Sequence, residues 1–389
     1  MLPAVLRYLA PALLLPALLS LGGCRGGEDD DAAPGGPPPA CADCDPATDR
    51  PITGPSTPTP YALELPAYLP SPVSDPGNPL SEEGIELGRR LFYDPILGRD
   101  SAFACANCHR QELAFTDGLA RAEGIGGARG RRSAMSLVNL ALNPNGFNWD
   151  GSSPDLADQA LHPVENMLEM DGDWEDVLRR LRRHADYPAR FRAAFGIGNT
   201  RDISRALVTR AIAQFERTII SVDSRFDRVV YRNEEFFTEL EQLGADSLFF
   251  VENVPPGALH PGCGHCHNAP SFGDNKFKNN GITAADGLDD FPDPGLGGVT
   301  GNRFDNGKFR TPSLRNIALT APYMHDGRFA TLEEVLDAYA AGGHGLENED
   351  PNITGFPLSD RQRAALVAFL NTLTDENLTT DERFANPFE

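Results

Sequence analysis

The chain has 389 residues, 40% of them hydrophobic and 23% charged, with a formal net charge of −22. That length admits two ordinary domains plus additional segments. The excess of acid argues against a nucleic-acid partner, whose phosphates need a basic surface, and is compatible with a basic partner protein, although such charge also serves simply to keep a surface solvated.

Residues 1–24, MLPAVLRYLAPALLLPALLSLGGC, hold one early positive charge at Arg7, an apolar run and then small residues. This is the pattern of a secretory signal, too short to be read as a spanning helix. Its end, Leu21-Gly22-Gly23-Cys24, resembles the bacterial lipobox. The expectation is export to the periplasm with a lipid on Cys24, which tethers the protein to a membrane surface without crossing it; a simply cleaved signal is the alternative. Residues 25–75 are rich in Pro, Gly, Asp and Thr and poor in large apolar side chains, a composition that reads as a flexible stalk. Within it Cys41 and Cys44 read as a local disulfide in an oxidising compartment, with a metal site as the less favoured alternative.

Beyond the stalk the pattern is mainly α, without alternating strands. Ile203, Leu207, Ala211, Ile212, Phe215 and Ile219 form one helical stripe between Ile203 and Val222. Thr331 to Glu334 and Ser359 to Gln362 have capping-box form and open helices running to Ala340 and about Thr374, the first stopped by Gly342-Gly343. Long segments rich in Gly, Asn and Pro, notably Asn279 to Asn306, need a body to pack on, and a large flat cofactor would serve.

Two motifs name such a cofactor. C-x-x-C-H occurs as Cys105-Ala-Asn-Cys108-His109 and again as Cys263-Gly-His-Cys266-His267. In this motif the two thiols form thioethers with haem vinyl groups and the adjacent His ligates the iron. Composition alone gives roughly 0.003 such matches per chain, so two are not accidental. A redox dithiol or a zinc site does not require a His directly after the second Cys. What lies on the other face of each iron decides between a carrier and a catalyst, because a second protein ligand makes an electron-transfer haem and a vacancy admits a small oxidant. Candidates are Met135, Met167, Met170, Met324, His162, His184, His260, His265, His325, His344 and the tyrosines. Spacing favours Met324 or His325 for the second haem, both in a Gly/Pro-punctuated loop.

The segments LGRRLFYDPILGRDSAFACANCHRQELAFTDG, FNWDG, LHPVENMLEM, CGHCHNAPSFGDNKFKNNGI and FRTPSLRNIALTAPYMHDGRFATLEEVLDAYAAGG resemble, in order, those of the bacterial di-haem cytochrome c peroxidase family, which includes the maturase MauG. The resemblance runs from about Glu82 to Asp375. It implies two cytochrome c-like haem domains, residues 76–235 and 236–389, packed across an interface. It also implies that the haem on Cys105, Cys108 and His109 is the peroxide site, with Gln159 and Glu169 in its distal pocket and Pro163 nearby. Such a pair suits O–O cleavage, which needs a base to move a proton and a fixed amide to hold the peroxide; for Glu169 taken alone, a solvated carboxylate is the bland reading. Trp149 in FNWDG matches the tryptophan between the haems.

For the haem on Cys263, Cys266 and His267 the resemblance puts Tyr339 where electron-transferring peroxidases have Met, which is similar to MauG and supersedes the spacing argument for Met324. A phenolate ligand stabilises ferric and higher states, whereas a thioether stabilises ferrous iron. Members activated by reduction have a capping His after the first haem. None occurs between His109 and His162, so the first haem is expected to be open at rest. The family's interfacial calcium corresponds to Thr320 and Pro322, but Ser133 stands where Asn is expected, which puts the ion in question. His162 is either a second acid–base group or, more plainly, a loop histidine bonded to backbone. The resemblance further allows a homodimer.

Three functions follow. The first is a peroxidase reducing hydrogen peroxide with electrons from a small cytochrome or cupredoxin, through Glu169, Gln159 and Trp149. The second is a MauG-like enzyme that spends the oxidising equivalents on residues of a partner protein, favoured by Tyr339. The third, a di-haem electron carrier without catalysis, is disfavoured by Glu169 and the open first iron.

Overall fold

Short helices joined by long turns make up nearly all of the regular structure in residues 48–251 and 259–389, the part of the chain that the computed structural model describes. Cys24, the signal-like segment and the Cys41/Cys44 pair lie outside those residues. In chain order the helices are α1 (Glu82–Tyr93), α2 (Cys105–Cys108), α3 (Leu156–Gln159), α4 (His162–Glu165), α5 (Trp174–Arg183), α6 (Tyr187–Phe195), α7 (Arg205–Glu216), α8 (Arg225–Val230) and α9 (Glu239–Gly244). They continue with α10 (Gly297–Thr300), α11 (Leu332–Ala341) and α12 (Asp360–Asn371). The chain is mainly helical, as its patterning indicates. Alternation missed one feature, the antiparallel pair β1 (Phe277–Lys278) and β2 (Phe309–Arg310), because strands this short and this far apart leave no periodic trace. Among the described residues no helix is long and apolar enough to cross a membrane.

The helix signals act where they are written. Thr331 accepts from the Glu334 N–H and Ser359 from the Gln362 N–H, and both boxes are reciprocal. The apolar stripe buries Ile203, Ala211, Ile212, Phe215 and Ile219, although α7 itself covers only Arg205–Glu216.

Two helix crossings are built alike. At Gly88 of α1 a Cβ would lie 1.9 Å from Ala211 O and 3.0 Å from Phe215 Cβ of α7; at Gly244 of α9 it would lie 2.1 Å from Ala365 O and 2.8 Å from Phe369 Cβ of α12. Beyond each crossing a threonine closes the helix, Thr218 donating to Phe215 O at 2.7 Å and Thr372 to Phe369 O at 2.6 Å. Asn139 and Asn316, both left-handed at φ 60° and 63°, open the 3-10 turns Leu140–Leu142 and Ile317–Leu319. The described chain therefore makes one helical unit twice, with different side chains at corresponding places.

Three apolar clusters fill the interior. One gathers Leu87, Leu91, Leu181, Phe191 and Ile212 between α1 and α5–α7. A second holds Phe92, Phe115 and Phe215 and is completed by Leu378 and Phe384 from the end of the chain. The third joins Phe226, Phe249, Phe272, Leu336 and Phe369. The described residues form one compact unit. Arg315 and Asp227, both wholly buried, pair through two hydrogen bonds of 2.7 and 2.8 Å, which tie α8 to the segment after β2.

The stalk reading of residues 25–75 needs correcting from Thr48 onward. Ile52 N–H donates to Gly198 O at 3.0 Å, Tyr61 N–H to Leu80 O at 3.0 Å and Val73 N–H to Ala141 O at 2.8 Å. Tyr68 stacks on Tyr231 with ring centroids 3.9 Å apart, and Leu69 is buried. A segment this polar cannot build a core of its own, but its backbone groups and a few aromatic anchors are enough to line it onto a surface already formed.

Replacing Gly88 or Gly244 by Ala drives a methyl group into helix backbone, which cannot yield as a flexible side chain would. Each substitution is expected to cost about 1–3 kcal/mol, read as a lowered midpoint in urea unfolding of the haem-loaded protein.

Candidate active site

Each C-x-x-C-H motif closes as one tight turn. His109 N–H donates to Cys105 O at 3.0 Å and His267 N–H to Cys263 O at 2.9 Å. Each imidazole is then pinned through Nδ1, which lies 2.9 Å from Phe115 O for His109 and 3.0 Å from Phe272 O for His267. A carbonyl can only accept, so Nδ1 carries the proton and Nε2 presents its lone pair, the form that ligates a metal. Burial lowers the proton affinity of both rings, which keeps Nε2 free. The accepting residues, Phe115 and Phe272, are both left-handed at φ 61° and 55° and wholly buried. None of the four motif cysteines is engaged in a disulfide.

Around the second motif, Cys263, Cys266 and His267 line a cavity of about 280 Å³ together with Met324, His325 and Tyr339. The ligand implied by resemblance and both ligands suggested by spacing therefore share one cavity. Asn280, which sequence reasoning did not single out, joins two of them: its Nδ2 donates to Tyr339 Oη at 3.2 Å and reaches Met324 Sδ at 3.7 Å. Burial pushes the Tyr339 hydroxyl up to about 12, against the Asn280 hydrogen bond, so the phenol keeps its proton until something binds its oxygen. His325 lies flat on Phe309, with centroids 3.7 Å apart and planes at 11°, and burial lowers it to about 4.

Besides Arg315, which is paired with Asp227, Lys278 and Arg310 face the same cavity. Lys278 Nζ is 2.9 Å from Cys266 Sγ and pairs with Asp274 and Asp350 at 3.2 and 3.6 Å. Arg310 is buried, and among the described residues it pairs with no carboxylate: its Nη atoms meet Asn275 Oδ1 and Met135 Sδ at 3.4 Å, and its Nε has no partner there. A guanidinium left like this calls for an anion, and a haem propionate would supply one. The residues present fit a haem at both motifs: pinned histidines, cysteines outside any disulfide and, at the second, a buried cation without a carboxylate among the described residues.

Glu169 stands beside the first motif, where its charge opposes ionisation of both Cys105 and Cys108. Burial raises its own carboxyl, opposed by a 2.6 Å hydrogen bond from Asn166 Nδ2 and by His162. Its backbone is held by the loop after Cys108: Ile125 N–H donates to Glu169 O at 2.7 Å, and a Cβ at Gly124 would sit 2.2 Å from Leu168 O and 2.5 Å from Glu169 O. Gln159 ends α3 with its amide 3.4 Å from Asn148 Oδ1, the residue before Trp149. Among the described residues no hydrogen bond joins Gln159 to Glu169. His162 is not bonded to backbone by its ring; it is exposed at the start of α4, with Nε2 3.4 Å from Asp158 Oδ2.

Trp149 is held from both sides. Its Nε1–H donates to Ser133 O at 3.0 Å, and its carbonyl accepts from Arg310 N–H at 2.8 Å. Ser133 in turn donates through N–H to His325 O at 2.8 Å and through Oγ to Met324 O at 2.9 Å. Arg132 bridges Asp150 and Asp293 at 2.6 and 2.8 Å. Thr320 and Pro322 line the second cavity with Ser133, and Thr320 Oγ1 donates to Ile317 O at 3.2 Å. Counting equally from the N-caps Asp155 of α3 and Thr331 of α11 brings Pro163 opposite Tyr339. A proline ring has no ligating atom; a phenol has one.

Residues 82–235 match the family model described as di-haem cytochrome c peroxidase. The chain is 36% identical over 318 residues to the methylamine utilization protein MauG of Methylorubrum extorquens, covering 81% of this chain and 85% of that protein. The chain belongs to the di-haem cytochrome c peroxidase family. A second relative is cytochrome c551 peroxidase of Nitrosomonas europaea, 32% identical over 298 residues, which cover 77% of this chain and 82% of that one. Among solved structures, a MauG-like protein associated with microbial copper homeostasis superposes with a TM-score of 0.76 at 36% identity, over 85% of this chain and 100% of that chain. The protein is accordingly an oxidoreductase of the di-haem type, with two covalently bound c-type haems.

If the Gly124 contact fixes Glu169, Gly124→Ala displaces the carboxylate without touching either motif. The expected result is an unchanged haem content by pyridine haemochrome and a fall in turnover with peroxide of up to ~10²-fold, the cost of a displacement near 1 Å.

Proposed function

We propose that the protein reduces hydrogen peroxide to water, taking two electrons and two protons per molecule, with a small redox protein such as a cytochrome c or cupredoxin as donor. Cys105, Cys108 and His109 would hold the haem of the peroxide site, and Cys263, Cys266, His267 and Tyr339 the electron-transferring one, one haem in each half of the chain. Haem bound at the first motif supplies an iron that accepts the peroxide oxygen and the redox capacity to break the O–O bond. Glu169 carries the reading. A half-buried carboxyl whose proton affinity is raised by burial can take the proton from one peroxide oxygen and return it to the departing one. Gln159 would steady the peroxide through its amide, and Pro163, which corresponds to Tyr339 of the other half, would offer a bound haem no ligating atom. Trp149, held between Ser133 and Arg310, would serve electron passage between the two sites.

Tyr339 favours a second reading. An oxygen ligand stabilises oxidised iron, so the same two oxidising equivalents could be directed at side chains of a partner protein, as in a MauG-like enzyme. On sequence grounds we place the enzyme in the periplasm, tethered through a lipid on Cys24 and free to form a homodimer. A calcium ion would draw on Thr320, Pro322 and Ser133.

Stoichiometric peroxide added to the ferric protein, followed by reduced cytochrome c, separates the readings. Prompt Soret changes and fast oxidation of the cytochrome are expected. A long-lived oxidised form that ignores the cytochrome would favour the protein-directed reading, and no spectral change would sink both. Glu169→Gln, which keeps the shape and removes the base, is expected to slow the peroxide step by about 10²–10⁴-fold while leaving the resting spectrum unaltered. Tyr339→Phe is expected to change the resting spectrum of the second haem and to leave peroxide binding at the first.

A further inference from the structure

Glu216 is the last residue of α7, is only 4% exposed, and its Oε2 has no hydrogen-bond partner among the described residues. Nothing in the peroxide chemistry uses it. Its charge bears on the Cys105 thiol, where it is the leading electrostatic influence after burial. The repeated helix crossing says what lies in front of it. Ala211 and Phe215 of α7 correspond to Ala365 and Phe369 of α12, so Ile212 and Glu216 correspond to Leu366 and Leu370. Those two leucines line the cavity of the second C-x-x-C-H motif. At the position where one half of the chain carries Leu370, the other carries the carboxyl group of Glu216.

We propose that Glu216 is a redox-linked proton site of the haem held by Cys105 and Cys108, taking up a proton from solvent when that haem gains an electron and releasing it when the electron leaves. The proposal rests on haem attachment at the first motif and on no feature of peroxide turnover. An oxidised haem iron carries one more positive charge than a reduced one, and a nearby positive charge favours the carboxylate over the acid. Glu216 is therefore more acidic beside the oxidised haem and less acidic beside the reduced one. Between those two values each reduction draws in a proton, so raising pH opposes reduction by up to ~tenfold per pH unit.

Burial alone lifts the Glu216 carboxyl to about 8. Arg90 of α1 and Arg190 of α6 each keep a buried Nε without a hydrogen-bond partner among the described residues, yet neither bears on the Glu216 carboxyl, on which burial alone acts. On α1, Glu86 pairs with Arg89 at 2.9 Å and Arg90 lies over the Phe388 ring. Asp158 of α3 faces His162, and Arg192 of α6 donates to Gly54 O and Ile197 O. Arg217, the next residue, donates to Asn78 O and faces Asp75. From α2 the neighbouring group is Cys105, on which Glu169 also bears and whose sulfur, like that of Cys108, carries no titrating proton once it is a haem thioether.

The test is a spectroelectrochemical titration of the Cys105/Cys108 haem in the holoprotein, followed by its Soret band from about pH 6 to about pH 9, the range that brackets the raised carboxyl. The wild type is expected to become harder to reduce as pH rises, by up to ~tenfold in the reduction equilibrium per unit. Glu216→Gln and Glu216→Leu, the second copying Leu370, are expected to remove that dependence. Equal slopes in wild type and both variants would overturn the proposal, whereas a merely structural Glu216 would alter thermal stability and leave the slope in place. Should neither variant load haem, redox-difference infrared spectra of the wild type decide. A carboxylic acid C=O band must appear on reduction and shift in D₂O; its absence counts against Glu216.

Discussion

The hydrogen bond from each imidazole Nδ1–H to a backbone carbonyl is the constraint on which both sites depend. It fixes the tautomer, directs Nε2 into the site and holds the ring while the cysteines are tied to haem. The carbonyls belong to Phe115 and Phe272, non-glycine residues in the left-handed region, a conformation that costs free energy for a bulky side chain. Complete burial of both rings offsets that cost: Phe115 packs with Phe92 and Phe384, and Phe272 with Phe226 and Phe249. The apolar clusters and the iron ligands are thus parts of one arrangement. Loosening the aromatic packing would loosen the histidine.

Around that shared device the two halves diverge at corresponding places. Pro163 stands opposite Tyr339, Trp149 opposite His325 in the FNWDG and YMHDG turns, and Glu216 opposite Leu370. Each exchange removes or adds one capability: a ligand atom, an extended indole, a titratable proton. A duplicated scaffold with matched backbone and unmatched side chains lets the two C-x-x-C-H sites differ in chemistry without differing in fold. The segment that joins them carries its own ties, since Ser133, Trp149 and Arg310 are hydrogen-bonded in series, and the Arg132 guanidinium is shared by Asp150 and Asp293.

Charge placement follows the same division. The first site has Glu169 and Glu216 beside its cysteines, the second Lys278 and Arg310. Carboxyl groups whose acidity is weakened by burial can hold or give a proton, and suit a reaction that consumes protons. Cations near the other site suit anionic propionates and the passage of electrons, for which no proton is needed.

The sequence by itself determined the chemistry that is local. Two C-x-x-C-H motifs specify thiols and a ligand within one turn, the capping boxes at Thr331 and Ser359 open α11 and α12, and the apolar stripe of α7 names its buried face, because each is a short-range pattern in which neighbours in the chain are neighbours in space. Motif order singled out Gln159, Glu169, Trp149 and Tyr339, and their hydrogen-bond partners came only from the fold. The repeat of the α1–α7 and α9–α12 crossings rests on Gly88 and Gly244 meeting helix backbone, and nothing in periodicity shows which helix a glycine will touch. Likewise the docking of residues 48–75, the return of Leu378 and Phe384 to the first half, the Asn280 link between Tyr339 and Met324, and the isolation of Arg310 and Glu216 were decided only by tertiary structure. Burial and the absence of a partner are properties of the whole surrounding fold, and no stretch of chain carries them alone.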